Sequence, residues 1–454
     1  MILEKIGNFK NKIAISSNLK QLTYKQLIIS VKKLIKLIKK EKVQTKDLIA
    51  IEIKDSHFFI ISALACIEGG YSFLPINHSM TAKEKNRILK FCEPKLIIKI
   101  INNNFIIKKK YNSKKKFKKQ ICIFFTSGTT AFPKGVCHLP STIIKNAQAF
   151  NKLVKIKKYK NFLHLFPMSY MAGFLNSIIC PLLAGNKIVI FDKTLISNYL
   201  NFWTEIEKKK INYFWASPSI IKMIGEYDIN LKDVKKIRKN LEFIFVGTAP
   251  FHTELKKKFK KKFNINCYES YGSNEMLLVS SNFIKNSYGS GKLLKGIKIK
   301  KDLSKNLLIS SPFKFYGYLN SKKEIEINNN KYFNSGDTFS SKKNFIKITG
   351  RTKDIIIKEG INISPKYLED EILKIKNIEE VAVLGINNNL YGEVPVAFIK
   401  AKRIVSHKFI INNLKRKISE KILPYKIISI KELPKNNIGK IDKKKLFAKY
   451  DCRS

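Results

Sequence analysis

The sequence predicts an α/β fold: a large N-terminal domain whose mostly parallel sheets are flanked by helices, followed by a small C-terminal α+β domain. Three observations predict it. Strand and helix patterns alternate from residue 22 to about residue 350, the order that parallel sheets require. The chain has 454 residues, too many for one core, and 44% of them are apolar, enough to fill two. After about residue 350 short strand and helix patterns crowd together and end in a lysine-rich tail.

The elements follow in order. Residues 22–42, LTYKQLIISVKKLIKLIKKEK, place apolar side chains at helical spacing after a threonine suited to cap. DLIAIEI is a short buried strand, and HFFIISALACIEGG a buried helix that ends on glycine. KLIIKII, ICIFF, LAGNKIVIF, INYFWASP and LEFIFVGTAP are further strands, with a helix over 197–210 among them. In the tail region TGRTKDIIIKEG, VAVLGI and VPVAFIKA read as strands, ISPKYLEDEILKI as a helix, and 406–421 as another. The boundary falls at Arg351–Asp354, dividing the chain into 1–351 and 352–454. No internal repeat is visible.

Lys and Arg number 88 against 34 Asp and Glu, a formal net charge of +54. That charge alone suggests a nucleic-acid binder. Its arrangement does not, because lysines are spread along the whole chain in runs that suit solvated loops and helix faces. Only six of the basic residues are arginine, so an arginine in this chain points to a geometric need. The seven cysteines lie far apart with no CxxC, as expected of buried free thiols in a reducing compartment. The N-terminus has no hydrophobic signal region, and YMAGFLNSIICPLLAG is too short and interrupted to span a bilayer. A cytoplasmic protein with no membrane span and no nucleic-acid partner is expected.

The stretch FFTSGTTAFPKG, at 124–135, follows the apolar strand ICIFF. Its residues Thr126, Ser127, Gly128, Thr129 and Thr130 let backbone N–H groups and hydroxyls converge, and Lys134 adds a cation. A polyphosphate cradle and a plain polar turn both fit the segment by itself. It is not a Walker A loop, because Pro133 stands where the second glycine belongs.

The segment closely resembles the T-S-G-T-T-G-x-P-K-G signature of the adenylate-forming superfamily, most like the acyl-CoA synthetases. The other signatures of that family follow in order. FPMSYMAG at 166–173 resembles the acyl-pocket segment, with Tyr170, Met171 and Gly173. VGTAP, containing Gly247, Thr248 and Ala249, resembles the G-G-A-P loop beside adenine. YGSNE, NSGD, GRTKDIIIKEGINISPKYLE and PKNNIGKI resemble the remaining elements. The resemblance covers essentially the whole chain.

The resemblance implies an acid-activating enzyme that uses ATP and Mg²⁺, then forms a thioester. It implies that Glu275 binds Mg²⁺, that Asp337 and Arg351 hold the nucleotide, and that Tyr271, Gly272 and Asn274 lie beside adenine and phosphate. Lys440 matches the lysine of the adenylation step, with Lys134 a second catalytic cation. Lys353 matches the hinge about which the small domain swings, bringing the strand at Lys358–Gly360 to the site in its second pose. The substrate would be a small-molecule carboxylic acid. PMSYMAGF offers no carboxylate to bind an ammonium, so an apolar or aromatic acid is expected rather than an amino acid. The acceptor is coenzyme A, or alternatively the phosphopantetheine of an acidic acyl carrier protein.

The sequence departs from the family pattern at Ala131, where the phosphate loop usually has glycine, and at Asn274, where it has threonine. Tyr170 stands where many relatives have a histidine or an aromatic residue, and Tyr367 replaces the first glutamate of P-x-E-x-E while Glu369 is kept. None of these removes a charged catalytic group.

Overall fold

The computed structural model describes residues 2–17, 20–109, 111, 117–125, 134–191, 201–226, 231–283, 288–320, 324–358, 361–388, 391–436 and 439–451. Thr126–Thr130 and Ala131 of the phosphate segment, Gly360 and Cys452 lie outside them.

Among the described residues the strands form three sheets. One has eight strands. Its centre is parallel, with Leu48–Ile51 between Ser72–Pro75 and Leu96–Ile101, and Cys122–Phe125 beside Ser72–Pro75. The second has thirteen. Its parallel core runs through Lys187–Ile190, Asn161–His164, Tyr213–Ala216, Phe243–Val246 and the start of Asn266–Ser273. From Ser270 onward the sheet becomes antiparallel, through Leu277–Ser281 to the ribbon of Phe333–Lys342 and Phe345–Arg351. The sequence reading had not separated this antiparallel part from the parallel one.

Helices fill the space between the two large sheets, and the two most apolar, His57–Gly69 and Ala172–Ile179, are buried over most of their surface. His57–Gly69 ends at Gly70 with φ +78°, a left-handed cap open to glycine. Tyr24–Lys40 starts on a capping box in which Thr23 and Gln26 exchange side-chain and backbone hydrogen bonds. Pro140–Leu153 and the segment 172–183 complete this layer. Phe202–Lys208, Pro218–Glu226, Leu231–Asn240 and Thr253–Phe263 cover the far face of the larger sheet. Their outward positions carry the lysine runs.

The third sheet has five strands, dominated by Ile378–Asn388 and Gly392–Ala401, and has its own core beginning at Ile356. Pro365–Ile372 and His407–Lys415 pack on it, each capped by a serine, Ser364 or Ser406. The expected helix over 406–421 stops at Lys415, and a separate 3₁₀ turn covers Glu420–Ile422. Among the described residues six cysteines are buried as thiols, outside any disulfide. No helix among the described residues is long and apolar enough to cross a membrane.

Candidate active site

The parallel strands end in loops that meet the small domain, and the sequence-predicted residues gather there. Asp337 and Arg351 face each other across the antiparallel ribbon, where their backbones are register partners. Arg351 Nε donates to Asp337 Oδ1 at 3.0 Å, and Tyr271 Oη donates to Asp337 Oδ2 at 2.5 Å. Asp337 is 5% exposed, so this carboxylate is held by two fixed donors in a nearly dry setting. Each oxygen has one further lone pair, which leaves acceptors for a pair of vicinal hydroxyls. Burial, with the Asp337 charge adding to it, raises the pKa of the Tyr271 hydroxyl well above its ordinary value. It stays a donor.

Lys440 lies near this pair. Burial lowers its pKa, the Arg351 charge lowers it further, and Asp337 opposes both. Its loop is seated on the large domain: Ser219 Oγ donates to Gly439 O, and a Cβ on Gly439 would come within 3.1 Å of Ser219 Cβ. Gly439 has φ +75°, so glycine serves both the turn and the close approach.

Gly247 follows the strand Phe243–Val246, and its N–H donates to Ala216 O at 3.2 Å. It lies beside Ser270, whose carbonyl oxygen would be 3.3 Å from a Cβ on Gly247. Thr248 has φ +71°, a left-handed conformation unfavourable to a β-branched residue. The sequence reading placed Thr248 beside adenine by resemblance, with no sign of this backbone conformation. Gly272 is required sterically, since a Cβ would lie 2.2 Å from Leu277 O.

Glu275 Oε1 accepts from Tyr318 Oη at 3.1 Å. The Nζ of Lys134 lies 5.4 Å from the centre of the Tyr318 ring. The strand Gly135–His138 pairs with Gly317–Leu319, placing Tyr318 opposite Val136, which brings all three together. Burial first and the Glu275 charge second push the Tyr318 pKa up, so it too remains a donor. Sequence reasoning missed Tyr318, because an aromatic in a strand reads as core. Asn274 Nδ2 donates to Phe124 O at 3.3 Å, tying it to the strand before the phosphate segment, while its buried Oδ1 has no hydrogen-bond partner among the described residues. Its carbonyl lies 2.7 Å from His138 Nε2. Burial lowers the pKa of that imidazole to about 4 and keeps it neutral.

Among the described residues no cluster of three or more His, Cys, Asp or Glu side chains is arranged to hold a metal. A single carboxylate, Glu275, fits Mg²⁺, an ion that keeps its waters and takes oxygen from phosphates rather than from a protein cage.

In the acyl segment Tyr170 Oη accepts from Asn77 Nδ2 at 2.7 Å, and Met168 N–H donates to Asp55 Oδ1 at 2.9 Å. Met171 is nearly buried. Gly173 is fixed by contact, since a Cβ would fall 1.9 Å from Pro167 O. Ala172–Ile179 then winds as a π-helix, a form often found at functional sites.

Lys353 is exposed in the short 3₁₀ turn Thr352–Asp354 that links the domains. Lys358 is not brought to the site: its Nζ donates to Lys421 O at 3.2 Å, within the small domain.

A two-sheet α/β body, a small α+β domain seated over its loop ends, and a lysine delivered between them to the buried Asp337 and its exposed partner Arg351 define a nucleotide-handling enzyme built from two parts. The chain belongs to the AMP-binding enzyme family, which it matches over residues 3–307, with the family's C-terminal domain over residues 367–440. It is an adenylate-forming enzyme resembling acyl-CoA synthetases. The chain is 25% identical over 497 residues to a putative acyl–CoA ligase, YdaB, of Bacillus subtilis, covering 98% of this chain and 97% of that one. It is 25% identical over 362 residues to the malonate–CoA ligase of Arabidopsis thaliana, covering 71% of this chain and 60% of that one. In fold it resembles ATP-bound MatB from Rhodopseudomonas palustris, with a TM-score of 0.86 at 18% identity, over 99% of this chain and 98% of that one.

Proposed function

We propose that this chain is an AMP-forming acid–CoA ligase acting on an apolar or aromatic carboxylic acid. The observation that carries the reading is the seat of Lys440, a half-buried ammonium held over Asp337 and Arg351 by a loop docked on Ser219. An ammonium there meets negative charge as it develops, in surroundings with little competing water.

In the first half-reaction a carboxylate oxygen attacks the α-phosphorus of ATP. The bond to the β-phosphate oxygen breaks, and pyrophosphate leaves. Lys440 bridges the acid and the α-phosphate. Asp337 accepts from the ribose hydroxyls, Arg351 supplies further donors, and Tyr271 with Gly247, Thr248 and Ala249 flanks the base. Thr126, Ser127, Gly128, Thr129, Thr130 and Lys134 receive the β- and γ-phosphates, with Gly272 and Asn274 beside them. Glu275 holds Mg²⁺, which when bound neutralises phosphate charge. In the second half-reaction a thiol sulfur attacks the acyl carbon, the bond to AMP breaks, and the thiol proton leaves. Residues 1–351 and 352–454 are the two moving units, with Lys353 as hinge.

Coenzyme A is preferred to a carrier protein because the curated relatives are named as CoA ligases. The expected setting is cytoplasmic fatty-acid metabolism. Separating the half-reactions tests the reading. Lys440→Ala should lose adenylate formation from acid and ATP, yet still convert supplied acyl-adenylate and CoA to thioester. Equal loss of both halves in a folded variant would refute the assigned role.

A further inference from the structure

Trp215 lies one strand step below the docked lysine loop. The strand Tyr213–Ala216 ends at Ser217 and Ser219, which approach Gly439: a Cβ on Gly439 would be 3.8 Å from Ser217 Oγ. Alternation along the strand puts Tyr213, Trp215 and Ser217 on one face. The cores agree, since Trp215 packs with Phe150 and Phe245 and shares its core with Phe174 and Met168, whereas Phe214 and Ala216 join the opposite core.

The indole is 2% exposed and stacks on Phe245, with ring centres 4.8 Å apart and planes at 27°. Phe150 stands 5.6 Å from the indole and 5.4 Å from Phe245, so the three rings form one cluster. The six-membered ring also leans over the neighbouring strand, for a Cβ on Gly247 would be 3.4 Å from Trp215 Cζ3. Gly247 stands one residue beyond Val246, the register partner of Ala216, and its N–H donates to Ala216 O. The ring therefore fills the sheet face up to the level just beneath Ser217 and the Lys440 loop.

An acid whose carboxylate meets Lys440 has its tail directed onto this face or toward the segment 166–174. That opposite wall is also closed. Met168 and Phe174 are fully buried, and Phe174 packs on Phe124 and Phe73 at 5.4 and 5.7 Å. We propose that Trp215 is the specificity-determining residue of this site, closing the acyl channel a few atoms beyond the carboxylate. The enzyme then activates compact acids, with a short aliphatic chain or a single ring, and rejects long-chain fatty acids. This inference rests on the acid-activating reading above.

The test compares hydroxamate formation from acetate, butyrate, benzoate, octanoate and palmitate by wild type, Trp215→Leu and Trp215→Ala. The wild type should prefer butyrate or benzoate over octanoate at least a hundredfold in kcat/KM. Trp215→Leu should narrow that ratio at least tenfold, the scale of a few methylenes in an apolar pocket. Circular dichroism and stabilisation by Mg-ATP establish that each variant is folded, and the milder leucine stands in if alanine is not. Palmitate turned over by the wild type as well as butyrate would overturn the proposal, as would folded variants that keep the wild-type ratio.

A second readout needs no turnover. The chain has two tryptophans, so Trp203→Phe leaves Trp215 as the sole indole emitter. Butyrate or benzoate added with a non-hydrolysable ATP analogue should shift its emission, and palmitate should not. No shift with any compact acid would overturn the proposal. A shift without hydroxamate formation in any protein would instead fault the acid-activating reading and leave Trp215 at the acid site.

Discussion

Glu380→Gln should loosen the small domain from the large one by a calculable amount. Glu380 belongs to the small domain and is 11% exposed at its side chain. Its Oε1 accepts from Lys222 of the large domain at 2.7 Å and from Lys435 of its own domain at 2.8 Å. Its buried Oε2 has no hydrogen-bond partner among the described residues. Glutamine keeps the shape and the accepting oxygen, so the substitution removes charge and little else. A hydrogen bond to a charged acceptor contributes about 1 kcal/mol more than one to a neutral acceptor. Only the Lys222 bond crosses between the domains. The docked arrangement should therefore lose about 1 kcal/mol, roughly a fivefold fall in the ratio of docked to undocked molecules.

Hydrogen exchange reads this ratio directly. The amides of 217–222 and those flanking Lys440 should exchange about fivefold faster in the variant, while the strand Tyr213–Ala216 stays as protected as in the wild type. The pH dependence adds a sign. Burial raises the Glu380 pKa, but the hydrogen bonds from Lys222 and Lys435 more than reverse this, leaving it below the ordinary 4.5. A depressed carboxyl favours docking above that ordinary value and loses the advantage as pH falls through the lower, docked-state value. Wild-type protection should fall along this acid limb, and the variant should lack it. Equal protection in the two proteins at neutral pH would refute the claim that this ion pair holds the domains together.

Two further substitutions probe the site itself. Tyr318→Phe removes the hydroxyl that donates to Glu275, so the Mg²⁺ concentration giving half-maximal pyrophosphate release should rise about tenfold, the scale of an outer partner of a metal ligand; an unchanged requirement would take Tyr318 out of the metal-binding machinery. Thr248→Gly relieves a β-branched residue at φ +71°, and should stabilise the protein by about 1 kcal/mol, raising Tm by roughly 2 °C. A lower Tm would mean that the threonine side chain makes contacts worth more than the strain.

The sequence disclosed those parts of the molecule that rest on local rules. Thr23 and Gln26 declare their helix through a capping box, and Gly70 closes the next one because a left-handed turn suits it. Asp337, Arg351 and Lys440 were legible only through motifs, since a single lysine among dozens carries no local signal. What the sequence hid depends on distant partners. Nothing near Glu380 or Lys222 announces that they pair across 158 residues, nor that His252 meets Asp370 across the same interface. Tyr318 and Trp215 read as ordinary strand aromatics, because their neighbours at Glu275 and Gly247 come from other strands. The switch from parallel to antiparallel pairing at Ser270 was equally hidden, because it is set by which strand lies alongside rather than by local sequence. The strain at Thr248 lies in a backbone angle that no composition reveals.

The most direct test of the central claim is acid-dependent pyrophosphate release. Purified protein is incubated with Mg-ATP, hydroxylamine and, one at a time, aliphatic, aryl and amino acids, beside Lys440→Ala as control. The account predicts release with a compact apolar or aromatic acid, matched by hydroxamate, abolished in the variant, and diverted to acyl-CoA when CoA replaces hydroxylamine. Release that is independent of added acid, or that survives in Lys440→Ala, would contradict it.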